Sequence, residues 1–234
     1  MTYEIKGGFA PVVVCRLEDE ESMACEKGAM VWMSPNIEMQ TQAKGGIGRA
    51  LGRKMSRDSF FQNVYTSYNG KGLIAFGSSY PGSIIAVPVT PSKPVIAQKT
   101  AFLAATIGVE SSIFFQKKIS AGLFGGEGFI MQKFTGNGTV FLEIDGSAID
   151  YNLHDGQMLV VNTGNIAMVD ATCKMDVQAV KGIKNIVLGG EGLFLTTITG
   201  PGRVSLQTLP ARGLAESLIP YLPLNRYGGG ANTQ

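Results

Sequence analysis

Histidine, the side chain most often used for proton transfer and metal binding at neutral pH, occurs once in this chain, at His154. A histidine metal site or a Ser-His-Asp hydrolase also needs further ligands or a positioned nucleophile. The surrounding residues, NLHDGQ, are typical of a tight turn. We therefore predict that His154 lies in a hairpin turn, and that the chain is not an enzyme and has no catalytic residue, metal site or cofactor.

Three acidic residues recur at matching places in the chain: Asp58, Glu127 and Glu191. If a threefold arrangement brought them together, the three carboxylates would raise one another's pKa or bind a cation. Alternatively, each accepts hydrogen bonds from backbone N–H groups in its own glycine-rich turn. The sequence favours this second interpretation.

The strongest local charge is a basic stretch within AKGGIGRALGRKMSRDSFF, residues 43–61. Its glycines do not fit a dinucleotide or P-loop motif, since Leu51 stands where G-x-G-x-x-G needs glycine. Its cations have no acidic neighbour before Asp58, and they are candidates for contact with anionic lipid headgroups or RNA. They are Lys44, Arg49, Arg53, Lys54 and Arg57.

Repeated phrases predict the architecture that positions these residues. GGEGFIMQKFTGNGTVFL (125–142) matches GGEGLFLTTITGPGRVSL (189–206), and TSYNGKGLIAF (66–76) is a third copy, with Gly72, Gly138 and Gly202 in register. Short apolar runs between glycine turns are typical of β-strands. We predict three β-copies, 24–80, 81–154 and 155–210, around a pseudo-threefold axis.

A second phrase supports the same division. A glycine turn and an apolar strand recur at Gly28, Gly82 and Gly156. Residues 1–23 precede the first copy, and we expect the strand around Val12–Leu17 to pair with the last copy and close the ring.

The C-terminal residues differ from the repeats. Residues 211–224 have a helical pattern, with Leu214 and Leu218 on one face, and we expect this helix to dock on the β-core. Residues 225–234, NRYGGGANTQ, are typical of a disordered tail.

Composition limits the classes of protein to consider. The net charge is +2, so the chain as a whole is not strongly basic as nucleic-acid-binding proteins often are. The three cysteines form no C-x-x-C motif, which indicates reduced thiols, and no signal peptide is recognisable. We expect a cytoplasmic location.

Several of these phrases together resemble the altered-inheritance-of-mitochondria protein family over residues 3–224. They are G-E-G-[FL], T-G-x-G, the basic stretch and the ending LPARGLAESLIPYLP. The resemblance implies a short double-stranded β-helix similar to the tryptophan RNA-binding attenuator protein, and a homo-oligomer, for example a trimer. Mitochondrial members are associated with inner-membrane organisation, and the family defines no catalytic residue.

The leading hypothesis is a non-catalytic oligomeric binding or scaffolding protein, acting at an anionic membrane surface. RNA binding by analogy with the attenuator fold is one alternative, although fold is weak evidence for function. A small-molecule sensor is the other.

Overall fold

The computed structural model describes residues 1–41, 63–117, 128–179 and 194–222. The chain is all-β with a short helix near its C-terminus, as predicted. The strands are β1 (Thr2–Lys6), β2 (Val12–Leu17), β3 (Ser22–Cys25), β4 (Met30–Met33), β5 (Ile37–Thr41), β6 (Asn63–Ser67), β7 (Gly72–Gly77), β8 (Gly82–Val89), β9 (Val95–Gln98), β10 (Phe102–Thr106), β11 (Val109–Lys117), β12 (Phe129–Gly136), β13 (Gly138–Asp145), β14 (Ala148–Leu153), β15 (Met158–Asn162), β16 (Ile166–Asp170), β17 (Lys174–Ala179), β18 (Phe194–Thr199) and β19 (Gly202–Gln207).

The strands form four antiparallel sheets. Their orders are β1-β2-β7-β4, β5-β6-β3-β10-β13-β8, β11-β12-β9-β16-β19-β14 and β15-β18-β17. These orders contain one six-strand pattern three times. We call β2–β7 unit 1, β8–β13 unit 2 and β14–β19 unit 3. In each unit the first, sixth and third strands are neighbours, and so are the fourth, fifth and second.

Irregularities in the ladders recur as well. The third strand of each unit shifts register against the sixth strand, between Met30 and Trp32 in β4 and between Phe102 and Ala104 in β10. β16 has the same shift between Ile166 and Met168. The common bulge aligns the units residue by residue. The threefold axis itself stays a prediction.

The aligned glycines Gly72, Gly138 and Gly202 each begin the sixth strand of a unit. A Cβ at Gly138 would collide with the Thr106 hydroxyl, and one at Gly202 would lie 2.7 Å from the Cys173 Sγ. Glycine is therefore required at these positions because neighbouring side chains occupy the space that a Cβ would need.

Hydrogen bonds between second and third strands join the units into continuous sheets. β3 of unit 1 pairs with β10 of unit 2, and β9 of unit 2 pairs with β16 of unit 3. We call these two pairings the inner junctions. Their central residues are fully buried: Ala24, Ile96, Ala105 and Val169 are each 0% exposed.

The recurring units differ from the predicted copies in two respects. The units occupy residues 12–77, 82–145 and 148–207, so β2 belongs to unit 1. It pairs on one side with β1 and on the other with β7, so both of its edges are occupied. The expectation that Val12–Leu17 pairs with the last copy to close the ring is wrong.

The second repeated phrase was also misaligned. Gly28 precedes the third strand of its unit, Gly82 begins the first strand of unit 2, and Gly156 precedes the second strand of unit 3. A glycine followed by an apolar strand occurs at almost any β-turn, so this pattern cannot distinguish one strand of the unit from another.

Three clusters of buried apolar side chains form the core, and the junctions run through them. One cluster combines Leu17 and Phe76 of unit 1 with Phe141 of unit 2. Another combines Ile96 and Phe129 of unit 2 with Val204 of unit 3. The third centres on unit 2, with Ala24 from unit 1 and Met168 from unit 3. Unit 2 therefore shares core with both of its neighbours.

The C-terminal helix α1 (Ala211–Leu218) continues into a 3₁₀ turn, Ile219–Tyr221. Its first N–H, from Ala211, donates to Asp145 Oδ2 at 2.7 Å. None of its side chains is buried, and Leu218 is 49% exposed. The helix is predicted correctly, but the expected docking of its apolar face on the described part of the β-core is wrong.

Candidate functional site

The predicted site residues lie outside the described residues. Lys44, Arg49, Arg53, Lys54, Arg57 and Asp58 fall within 42–62, Glu127 within 118–127 and Glu191 within 180–193. These three segments connect β5 to β6, β11 to β12 and β17 to β18, which is the fourth-to-fifth strand connection of every unit. The acids thus share one topological position, and the favoured interpretation, in which each accepts hydrogen bonds within its own turn, stays a prediction.

His154 lies in an exposed turn between β14 and β15. The backbone N–H of His154 donates to Gln157 Oε1 at 3.0 Å, and its backbone carbonyl accepts from the backbone N–H of Gln157 at 3.0 Å. The turn was predicted correctly, although β14 and β15 pair with β19 and β18, so it is not a hairpin turn. Within the described residues, no group of three His, Cys, Asp or Glu side chains is arranged to hold a metal ion.

Glu143 is a buried carboxylate on β13. Its Oε2 accepts from the Ser79 N–H at 2.6 Å and from Ser78 Oγ at 3.1 Å. Burial raises its pKa above the usual 4.5, and these two hydrogen bonds offset part of that effect. The carboxylate fastens residues 78–79 to the sheet.

Burial raises the pKa of Glu143, so the ionised form of this side chain lowers the free energy of unfolding. The protonated form does not. This cost appears as pH rises above about 4.5, the usual glutamate value, because the unfolded chain ionises first. We expect Glu143→Gln to unfold at higher urea concentration than the wild type at pH 7, and at a similar concentration at pH 4. Equal midpoints at pH 7 would contradict this, and Glu110→Gln at an exposed position is the control.

The three cysteines are free and buried. Burial raises the pKa of both Cys15 and Cys25 to about 12, and it raises that of Cys173 as well. The thiolate is the reactive form of cysteine, and at neutral pH these groups are thiols. They serve as small apolar core residues.

A Ser–Asp pair joins β14 to β19. Ser205 Oγ donates to Asp150 Oδ1 at 2.5 Å, and the Arg203 guanidinium donates to Asp150 Oδ2 at 3.0 Å. Burial alone would raise the pKa of Asp150, but the two donors lower it below its usual value. Ser205 is 0% exposed, whereas the Asp150 side chain is 46% exposed, and the pair stabilises the pairing of β14 with β19.

Strands β4 and β15 expose large apolar side chains. Val31, Trp32 and Met33 on β4 are 54%, 46% and 38% exposed, and Met158 and Val160 on β15 are 67% and 61% exposed. Each strand lies at the edge of its sheet. An exposed apolar edge offers both unpaired backbone groups and apolar side chains to a binding partner.

Comparison with known proteins identifies the family. The family described as "Mitochondrial biogenesis AIM24" matches residues 3–209. The chain belongs to this family.

Similar proteins occur in bacteria. An uncharacterized protein of Streptococcus pyogenes serotype M6 is 29% identical over 221 residues, which is 91% of this chain and 87% of that protein. A crystal structure of a Streptococcus pyogenes protein superposes with a TM-score of 0.77 at 25% identity, and the match covers 94% of this chain and 99% of that one. The predicted resemblance is confirmed.

Sequence reasoning missed the apolar edges of this AIM24 protein. MVWM in β4 and MLVVN in β15 look like any other buried strand in the sequence. Only the order of strands in the sheets shows that these two lie at edges.

Proposed function

We propose that this chain is a non-catalytic scaffolding protein that self-associates and binds an anionic membrane surface. The observation that carries the proposal is the exposure of large apolar side chains on two sheet edges, β4 and β15. Natural sheets usually protect such edges with charges, prolines or a covering element. Self-association would cover them.

Further support comes from the roles of the reactive groups in the described residues. The Glu143 carboxylate accepts hydrogen bonds from its own chain, and the three thiols are buried. His154 is held in an exposed turn by its backbone. These groups stabilise the fold, and the exposed apolar side chains of β4 and β15 are available to bind a partner.

The anionic surface is proposed from the basic stretch, residues 44–57. An oligomer would present this stretch several times, and weak contacts then add through a high effective concentration. In the part of the chain that the structure describes, no helix has the length and apolar character to span a bilayer. The proposed contact is electrostatic, because it rests on the cations of the basic stretch.

Replacing Arg49, Arg53, Lys54 and Arg57 with serine is expected to weaken binding to anionic vesicles. Each cation near an anionic lipid surface contributes about 1 kcal/mol, so four together correspond to roughly a thousandfold in affinity at low salt. Co-sedimentation with phosphatidylserine-containing vesicles measures the effect. Wild-type binding should decline as salt rises, since exposed charges are screened.

A matched control removes the same charge elsewhere. Lys6, Lys27, Lys71 and Lys93 are exposed, and their replacement by serine should leave vesicle binding nearly unchanged. Failure of the wild type to sediment with anionic vesicles at low salt would refute the membrane part of the proposal. Recovery of a defined RNA in a parallel pull-down would favour RNA binding instead.

A further inference from the structure

We propose that copies of this chain associate head to tail, with β4 of one copy pairing antiparallel with β15 of the next. This inference rests on the self-association proposed above and specifies its interface. It follows from the recurring strand order, from the burial at the inner junctions and from the exposure of the same positions on β4 and β15.

The pattern of the units determines which strands lack a partner. At each inner junction the second strand of one unit pairs with the third strand of the following unit. Among the described strands no unit follows unit 3, and its second strand, β15, ends a sheet. No described unit precedes unit 1, and its third strand, β4, ends another sheet. In the described residues β4 pairs only with β7, and β15 only with β18.

The alignment of units also predicts the register. Cys25 lies opposite Ala104 and Ala24 opposite Ala105 at the first inner junction; Ala97 lies opposite Met168 and Ile96 opposite Val169 at the second. The common bulge aligns Trp32 with Ala104 and Met168, and Met33 with Ala105 and Val169.

The second strands align through their pairing with the fifth strands. Val95 lies opposite Phe134, and Leu159 lies opposite Ile198. Phe134 and Ile198 are equivalent, because each precedes the aligned glycine of its unit, Gly138 or Gly202, by four residues. Val160 and Val161 therefore correspond to Ile96 and Ala97. The intermolecular pairing should place Trp32 of one copy opposite Val161 of the next, and Met33 opposite Val160.

Equivalent positions are buried at the inner junctions and exposed on the edge strands β4 and β15. Ala105 and Val169, which correspond to Met33, are 0% exposed at the inner junctions, whereas Met33 is 38% exposed. Ala24 and Ile96, which correspond to Val160, are 0% exposed, whereas Val160 is 61% exposed. The same positions are covered wherever a second strand meets a third strand, so each open strand is the type of partner that the other requires.

A head-to-tail contact uses two different surfaces, so one substitution blocks one end and leaves the other intact. A lysine at either end would place a charge inside the interface, where no partner compensates it. Met33→Lys blocks β4 and Val160→Lys blocks β15. Both positions are exposed in the single chain, so both variants should fold.

We expect the wild type to be oligomeric by light scattering, and each variant to be a monomer at micromolar concentration. An equal mixture of the two variants should form a 1:1 dimer that does not grow, because only one β4 and one β15 remain intact. Ile149→Lys is the matched control: it lies on β14, another sheet edge, is 44% exposed, and should keep the wild-type mass.

The outcomes separate this inference from the proposed function. Variants that keep the wild-type mass would overturn the interface and leave self-association standing, and so would a mixture that stays monomeric. A monomeric wild type would overturn both. Circular dichroism verifies folding, and Trp32→Lys and Met158→Lys replace any variant that fails to fold.

Discussion

Gly136→Ala is expected to lower the free energy of unfolding by about 3–5 kcal/mol, from backbone strain combined with overpacking. Gly136 ends β12 with φ +94°, a conformation that disfavours any residue with a Cβ. An added methyl group would also collide with the Gly108 carbonyl oxygen, which belongs to the adjacent backbone. Urea unfolding followed by circular dichroism measures the change.

Gly156→Ala provides the control for this prediction. Gly156 has a similar φ of +72°, but no atom lies within 4 Å of the position of its Cβ. The substitution should lower the free energy of unfolding by only about 1 kcal/mol, because alanine must adopt the left-handed conformation but meets no other atom. Equal effects of the two substitutions would show that the close backbone approach at Gly136 is unimportant.

Phe141→Ala should destabilise the protein by about 3–5 kcal/mol, the usual range for emptying a buried aromatic site. The side chain is 0% exposed and belongs to the cluster that joins units 1 and 2. The Tyr3 ring of β1 packs edge-on against it, with ring centroids 4.9 Å apart. Its removal leaves a cavity and takes away the support of β1.

Phe141→Leu is the matched variant, since it keeps most of the apolar volume. We expect it to cost about 1 kcal/mol. Thermal unfolding and hydrogen exchange of the β1 amides provide the measurements. The interpretation would be wrong if the alanine variant lost no more stability than the leucine variant.

The sequence predicts the class of fold because repetition amplifies a weak signal. Gly72, Gly138 and Gly202 recur in register, and each begins the sixth strand of a unit. A single glycine turn would carry little information, but three glycine turns at similar spacing predict a repeated β-unit. The helical pattern of residues 211–224, with Leu214 and Leu218 on one face, also predicted α1 correctly.

Strand pairing, by contrast, could not be deduced from the sequence. β2 is apolar enough to pair with any strand. One partner, β1, directly precedes it in the chain, but the other, β7, is distant in sequence. Helix α1 was expected to bury Leu218, yet its tie to the described β-core is a backbone N–H on Asp145. An amphipathic pattern predicts a helix, but it does not predict which surface, if any, the apolar face packs against.

In the candidate site, too, the sequence predicts local features but not those that depend on strand order. His154 was correctly placed in a turn because Asn, Asp and Gly are local signals. The exposure of Trp32 and Val160 depends on the order of strands in complete sheets, for which the sequence has no local signal. The basic stretch and the three acids stay predictions.

The inner junctions have a consequence for synthesis on the ribosome. The edge of β3 stays open until Phe102–Thr106 has emerged, because β10 is its partner. β9 likewise waits for Ile166–Asp170, which forms β16. Units 1 and 2 are therefore each completed by the unit translated next, and a nascent chain stalled between units would carry an unprotected edge. Translation pauses in these intervals would expose the growing chain to aggregation or chaperone capture.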